Sequence, residues 1–242
     1  MSLPEDITRF LNVMAETERT KPVSGAKKAM LSFVTISRQA GAGGHTLAQT
    51  LIRRMAQETD PLFQSWQICD QQLCEMLLQD GHLNVSLQSL LAEEYRSQIQ
   101  ELVGELFSKQ PSQYLIMREM FETIRSLAAI GKVIIVGRGG SQVTKKLETG
   151  VHVRLAAPET VRVQRMMRLL GQSEAEARAA VYKQDQDRAR LLKSFFQLDI
   201  NDPLLYDAVW NTSTVPFEVI AEAIVSLIKH RIGLQDPTQA PG

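Results

Sequence analysis

Residues 30–55, MLSFVTISRQAGAGGHTLAQTLIRRM, change character twice within a short span. The run MLSFVTIS is apolar and rich in β-branched side chains, which reads as a strand buried on both faces. Leu47, Leu51 and Met55 then recur at four-residue spacing beside Ala48 and Ile52, the pattern of a helix with one buried face. Between the two stand Gly41, Gly43 and Gly44. A buried strand that turns on glycines into a helix opens a parallel α/β unit, because the helix must pack back over the sheet. The same turn suits an anion: glycine allows several amides to face one centre, and the helix dipole lies behind them. A phosphate loop of this kind carries a lysine followed by serine or threonine, whereas this chain has Gly44 and His45. Two readings stay open, a phosphate site with altered side chains and an ordinary strand-to-helix turn.

The rest of the chain extends the α/β pattern. Residues 1–29 read as an N-terminal helical extension that ends in the turn-prone KPVSGAKK. From 60 to 112 the pattern is helical, with Leu87, Leu90, Leu91, Ile99, Leu102, Val103, Leu106 and Phe107 as apolar positions and no strong strand. A helix from about residue 113 to 129 stops at Gly131, and KVIIVGRGG is a second buried strand ending in glycines. VHVRLAA is a third strand, followed by a helix that starts at Pro158 and carries Val161, Met166 and Leu170. Ser173 and Glu176 form a capping-box signature for a helix reaching Lys193. YDAVWNTS is a fourth strand, FEVIAEAIVSLIKHRIG a last helix closed by Gly233, and residues 234–242 a flexible tail. A parallel sheet with helices on both faces is the result, and ligands of such sheets bind beyond the carboxyl ends of the strands. That rule selects the glycine loop, Gly137–Gly140 and Asn211–Thr214.

Charge and cysteine content narrow the functional classes. The 27 basic and 27 acidic side chains cancel, so no global field gathers nucleic acid polymers or an anionic membrane surface. The N-terminal segment carries Glu5 and Asp6 and has no long apolar stretch, so neither a secretion signal nor a membrane span is expected there, and the expectation is a cytoplasmic protein. Cys69 and Cys74 lack the partners of a zinc site and read as reduced thiols. His152 lies within a predicted core strand and reads as a satisfied interior histidine, and Tyr206 and Trp210 read as packing residues.

Four segments, VTISRQAGAGGHTLAQTL, VIIVGRGG, DQDRAR and NDPLLYDAVWNTS, resemble in order and spacing the motifs of the cytidylate kinase-like proteins, a branch of the P-loop nucleoside monophosphate kinases. The resemblance covers residues 31–230 approximately and implies a P-loop NTPase-like three-layer α/β fold, with a kinase-like domain over 30–233. It implies an acceptor-side region over 60–112 and a helical lid region over 171–193. By position, Gly41, Ala42, Gly43, Gly44, His45 and Thr46 fall on the loop around the donor phosphates, and Asp70 falls on the acceptor side. Arg138 matches the arginine that faces the acceptor nucleotide, while Arg162 and Arg165 lie on the helix leading into the lid. Asp185, Arg188 and Arg190 match the lid pattern whose arginines approach the transferring phosphoryl group.

These residue types suit the chemistry. Phosphoryl transfer asks for in-line positioning and positive charge on the phosphate oxygens, and arginine binds two such oxygens at once while staying charged. Arg38, just before the glycines, is a candidate to reach back over the phosphates, and Thr46 a candidate metal-facing hydroxyl. The departures from the family pattern are Gly44 in the lysine's place, and Val136 and Gly139 where acidic residues flank the glycine-arginine pair. The expectation is a phosphotransferase that moves the γ-phosphoryl of ATP, with Mg2+, to cytidylate or a related small acceptor. A catalytically weak nucleotide-binding module derived from a kinase and a kinase for a non-nucleotide acceptor are the alternatives.

Overall fold

The computed structural model describes residues 31–79 and 115–233, with isolated positions at 9, 12, 13, 15, 16, 19, 103 and 104. The extension expected over 1–29, most of the helical stretch expected over 60–112, and the tail over 234–242 therefore fall largely outside the described residues. Five strands make one sheet: β1 (Phe33–Arg38), β2 (Gln67–Cys69), β3 (Val133–Val136), β4 (Gly150–Ala156) and β5 (Ala208–Asn211). Their order is β2-β3-β1-β4-β5, and all neighbouring pairs run parallel. The helices described are α1 (Gly44–Met55), α2 (Gln71–Gln79), α3 (Leu115–Ile130), α4 (Gly140–Val143), α5 (Glu159–Leu170), α6 (Glu174–Phe196) and α7 (Phe217–Arg231).

Alternation along the strands explains why their sequences are apolar without a break. Phe33 packs with Cys74, Leu77 and the α3 residues Phe121 and Ile124, whereas Val34 and Ile36 pack with Leu47 and Leu51 of α1 and Ile220 and Ile224 of α7. Val133 and Ile135 join the first core, Ile134 and Val136 the second. Successive side chains point to opposite faces, so a strand between two helical layers needs an apolar residue at nearly every position.

The sheet has one strand more than the sequence pattern indicates. Gln67–Cys69 pairs with Val133–Ile135 at the sheet edge, inside the stretch expected to be helical. Three residues that include a glutamine cannot show a period, and the pairing partner β3, not the segment's own composition, makes them a strand. Leu170, one of the apolar positions expected on the helix after Pro158, is 48% exposed. It stands at the last turn of α5, just before the left-handed Gly171 that ends the helix (φ 65°).

Elsewhere the local signals match the backbone. Gly131 ends α3 at φ 90°, and both halves of the Ser173–Glu176 capping box are formed at the start of α6. That helix continues past Lys193 to Phe196, because Phe195 and Phe196 pack against Phe121 with ring centroids 5.4 and 5.6 Å apart. His152 in β4 shares a 2.8 Å hydrogen bond with the Thr35 hydroxyl and meets the Phe33 ring edge-on. Burial pushes its pKa down to about 4, with Asp207 opposing, so the ring is neutral as the core requires. Cys69 and Cys74 are both buried free thiols, their sulfurs 2.9 Å apart. Among the described residues no helix is long and apolar enough to cross a membrane.

Candidate functional site

Two strand–glycine–helix turns lie side by side at the carboxyl edge of the sheet, one after β1 and one after β3. In the first, Gly41 and Gly43 take φ values of 75° and 88°, conformations that only glycine adopts without strain. Neither position has room for a side chain: a Cβ on Gly41 would strike the Arg162 carbonyl, and one on Gly43 would strike the Phe217 ring. Gly43 caps α1 without a side-chain hydrogen bond. The Ala42 N–H donates to the Gln39 carbonyl, but the amides of Gly43, Gly44, His45 and Thr46 have no acceptor among the described residues. Such orphan donors at a twelve-residue helix start form an electropositive cradle.

The back of this loop is held by the protein itself. Asp185 of α6 accepts from the Ala40 N–H at 2.7 Å and from Arg162 Nη1 at 2.7 Å. Arg162 is buried and also donates to the carbonyls of Ala157 and Ala40. Arg165 donates to the Thr212 hydroxyl and carbonyl at 2.8 and 2.7 Å, and its guanidinium sits 5.7 Å from the Phe217 ring centre. The Thr212 hydroxyl in turn donates to the Ala42 carbonyl. Arg162, Arg165 and Asp185 thus brace the loop from behind, with protein groups as their partners.

The second turn presents side chains where the first presents amides. Gly137 and Gly139 have φ 89° and 69°, and between them Arg138 is held at φ 53°. A non-glycine residue in that region stores roughly 1 kcal/mol or more of strain and marks a position fixed by its surroundings. Arg138 pairs with Glu75 of α2, while its buried Nε has no partner among the described residues. Beside it opens a cavity of about 480 Å³, with Arg38 and Arg138 on the sheet edge and Arg188, Gln184 and Leu191 contributed by α6. Arg188 donates to the Gln184 side chain at 3.0 Å and lies 3.5 Å from Asp185. Burial lowers its pKa, Asp185 opposes, and the nearby Arg154 and Arg138 lower it further.

The remaining predicted positions are spread around this centre. Thr46 and His45 are exposed on the first turn of α1, and His45 Nδ1 lies 3.9 Å from an Asp70 oxygen at the end of β2. Asp70 also caps α2 by accepting from the Leu73 N–H at 3.0 Å. Arg190 is not among the residues that line the cavity; it is exposed and 3.5 Å from Asp187, which does line it. Sequence reading missed Arg154, buried within β4, which donates to Ser37 and Asn201 and lies 5.7 Å from the Tyr206 ring centre. A lone arginine inside an apolar strand was the available signal. Glu75 and Gln184, which orient Arg138 and Arg188, carried no local signal at all.

The cytidylate kinase-like family model matches residues 33–214, which takes in both turns and all five strands. The chain belongs to the cytidylate kinase-like family. That membership supports a nucleotide-binding phosphotransferase. The fold is shared with an uncharacterized protein from Eubacterium ventriosum, at a TM-score of 0.63 and 18% identity over 83% of this chain and 99% of that one. A shikimate kinase from Bacteroides thetaiotaomicron aligns at a TM-score of 0.43 and 15% identity, over 82% of this chain and 98% of that one. A uronate isomerase from Corynebacterium glutamicum is 29% identical over 92 residues, 38% of this chain, and the match spans only 18% of that protein's length.

Proposed function

We propose that the protein binds ATP at the amides of Gly43 to Thr46 and transfers its γ-phosphoryl group to a small anionic acceptor held in the adjoining cavity, with cytidylate as the first candidate. The observation that carries this reading is the juxtaposition of unpaired amides at the start of α1 with a cavity lined by three arginines. The amides and helix dipole favour the donor phosphates, and the arginines favour the charge of the acceptor and of the group in flight. Arg138 and Arg188 face the acceptor and the transferring group, and Arg162, Arg165 and Asp185 keep the donor loop in shape.

An acceptor oxygen forms the new bond to the γ-phosphorus while the bond to the β,γ-bridging oxygen breaks and leaves its electron pair on the departing diphosphate. With a phosphate monoester as acceptor no general base is needed, since its second ionisation lies at about pH 6. Among the described residues no cluster of three or more acidic, histidine or cysteine side chains forms a metal cage. Magnesium bound with a nucleotide asks less of a protein, because phosphate oxygens and water supply most of its six ligands. The exposed Thr46 hydroxyl and the Asp70 carboxylate, which lies 3.9 Å from His45 on the same helix start, are the groups that would hold it. When bound, the ion screens charge on the phosphates.

The deciding experiment incubates the purified protein with ATP, magnesium and a panel of nucleoside monophosphates and small phosphorylated or carboxylated acceptors, with product read by phosphorus NMR. Transfer to one of them is the expected result. Gly44 in the lysine's place favours a second reading, a nucleotide-binding module without efficient transfer. Calorimetric binding of ATP with no product from any acceptor would establish it, and no nucleotide binding would overturn both.

A further inference from the structure

We propose that Arg38 supplies, from the end of β1, the positive charge that a phosphate loop ordinarily draws from a lysine at the first helical position, and that Gly44 is a glycine because Arg38 lies across it. This rests on the phosphotransferase reading and assigns one residue's role within it.

The geometry is that of one side chain occupying another's path. A Cβ on Gly44 would stand 3.1 Å from Arg38 Cγ, 3.2 Å from Cδ and 3.5 Å from Nε. A lysine at residue 44 would begin along that same vector, so its stem and the stem of Arg38 compete for one volume. Further along, the Arg38 guanidinium rests on Gly137, where a Cβ would collide with Nη1. Arg38 therefore runs from the first glycine turn to the second, across the boundary between the amide cradle and the arginine-lined cavity.

Its electrostatic setting calls for an anion. Arg138 has Glu75, and Arg188 has Gln184 and Asp185, but the Arg38 side chain has no hydrogen bond or ion pair among the described residues. Burial pushes its pKa down to about 9, the neighbouring Arg188 and Arg138 push in the same direction, and Asp70 alone opposes. Three guanidiniums held together at the cost of desolvation and mutual repulsion gain most from a multiply charged phosphate. The planar fork of arginine also spans two phosphate oxygens, so an arginine reaching in from β1 bridges donor and acceptor more readily than a single ammonium would.

The role is tested by exchanging the two positions. Arg38→Ala removes the charge, and Gly44→Lys puts a lysine where Arg38 now lies; each single variant is expected to lose about 100-fold in kcat/KM for ATP, the scale of one lost preorganised contact. The Arg38→Ala/Gly44→Lys double variant is expected to recover at least about tenfold over either single, because the lysine then has both the space and the task. Thermal melting checks that each variant folds, and Arg38→Gln replaces Arg38→Ala if the alanine variant does not. Calorimetric ATP affinity is the parallel readout. Folded Arg38 variants within about threefold of wild type, or a double variant no better than the singles, would falsify the assignment. A wild-type protein that neither binds nor turns over ATP refutes the phosphotransferase reading itself, which is a separate result.

Discussion

The two glycine turns start from the same local recipe and end as different tools. After β1 the chain enters a twelve-residue helix, and the turn offers bare backbone amides whose reverse side is filled by Arg162, Arg165, Thr212 and Phe217. After β3 it enters a helix of only four residues, too short for a large dipole, and the turn offers Arg138 in a left-handed conformation. The first turn is rigid because it is wedged; the second is shaped to aim one cation. A parallel sheet can thus place backbone donors and side-chain charge next to each other by varying only the length of the helix beyond the glycines and the residues set between them.

Alanine at Gly43 and at Gly139 separates the two cases. The Gly43→Ala methyl meets the Phe217 ring at a left-handed position, and strain plus overpacking is expected to cost about 4 kcal/mol. At Gly139 the nearest atom to a new Cβ is a Leu191 methyl carbon 3.1 Å away, at the end of a flexible side chain. Gly139→Ala is expected to cost only about 1 kcal/mol, mostly backbone strain. Urea unfolding of both variants measures the difference, and equal losses would remove the distinction between a wedged turn and an open one.

Charge on the cavity side is expected to matter for rate more than for stability. Arg188→Ala should lower kcat about 100-fold, equivalent to roughly 2.7 kcal/mol in the barrier, and leave the unfolding midpoint close to that of wild type. Steady-state kinetics against a folded control decides it. A large fall in stability with unchanged kcat would make Arg188 a strut of the kind Arg162 is.

The frame that both turns share is sensitive to acid through His152, which joins β4 to Thr35 of β1. Its folded pKa of about 4 lies below the unfolded value of 6.5, so below pH 6.5 the unfolded state binds the extra proton and native stability falls. The loss is expected to reach about 2 kcal/mol at pH 5 and to level off below the folded value. His152→Gln should flatten that segment of the stability profile measured by denaturant titration between pH 7 and pH 4.

Much of this architecture was legible in advance, and the exceptions share a cause. The strands β1, β3, β4 and β5, the left-handed glycines and the capping box of α6 stem from apolar runs, glycine and serine signals that act over a few residues. β2 did not, because three edge residues become a strand only through pairing with β3. At the site, the candidate positions came from a resemblance of motifs, whereas their surroundings came from contacts between distant segments. Asp185 meets Ala40 across 145 residues, and Thr212 meets Ala42 across 170. No local pattern could indicate that Arg38 has no described partner while Arg138 and Arg188 have theirs.

The order of residues alone determined a buried parallel sheet, a glycine turn entering a helix and a supply of arginines, since each rests on short-range sterics and the periodicity of apolar side chains. Only the tertiary structure decided which arginines brace the loop and which line the cavity, and that the Arg38 stem passes against Gly44. Direction and burial of a long side chain depend on what the rest of the chain packs against it, and that information is not written in the neighbouring residues.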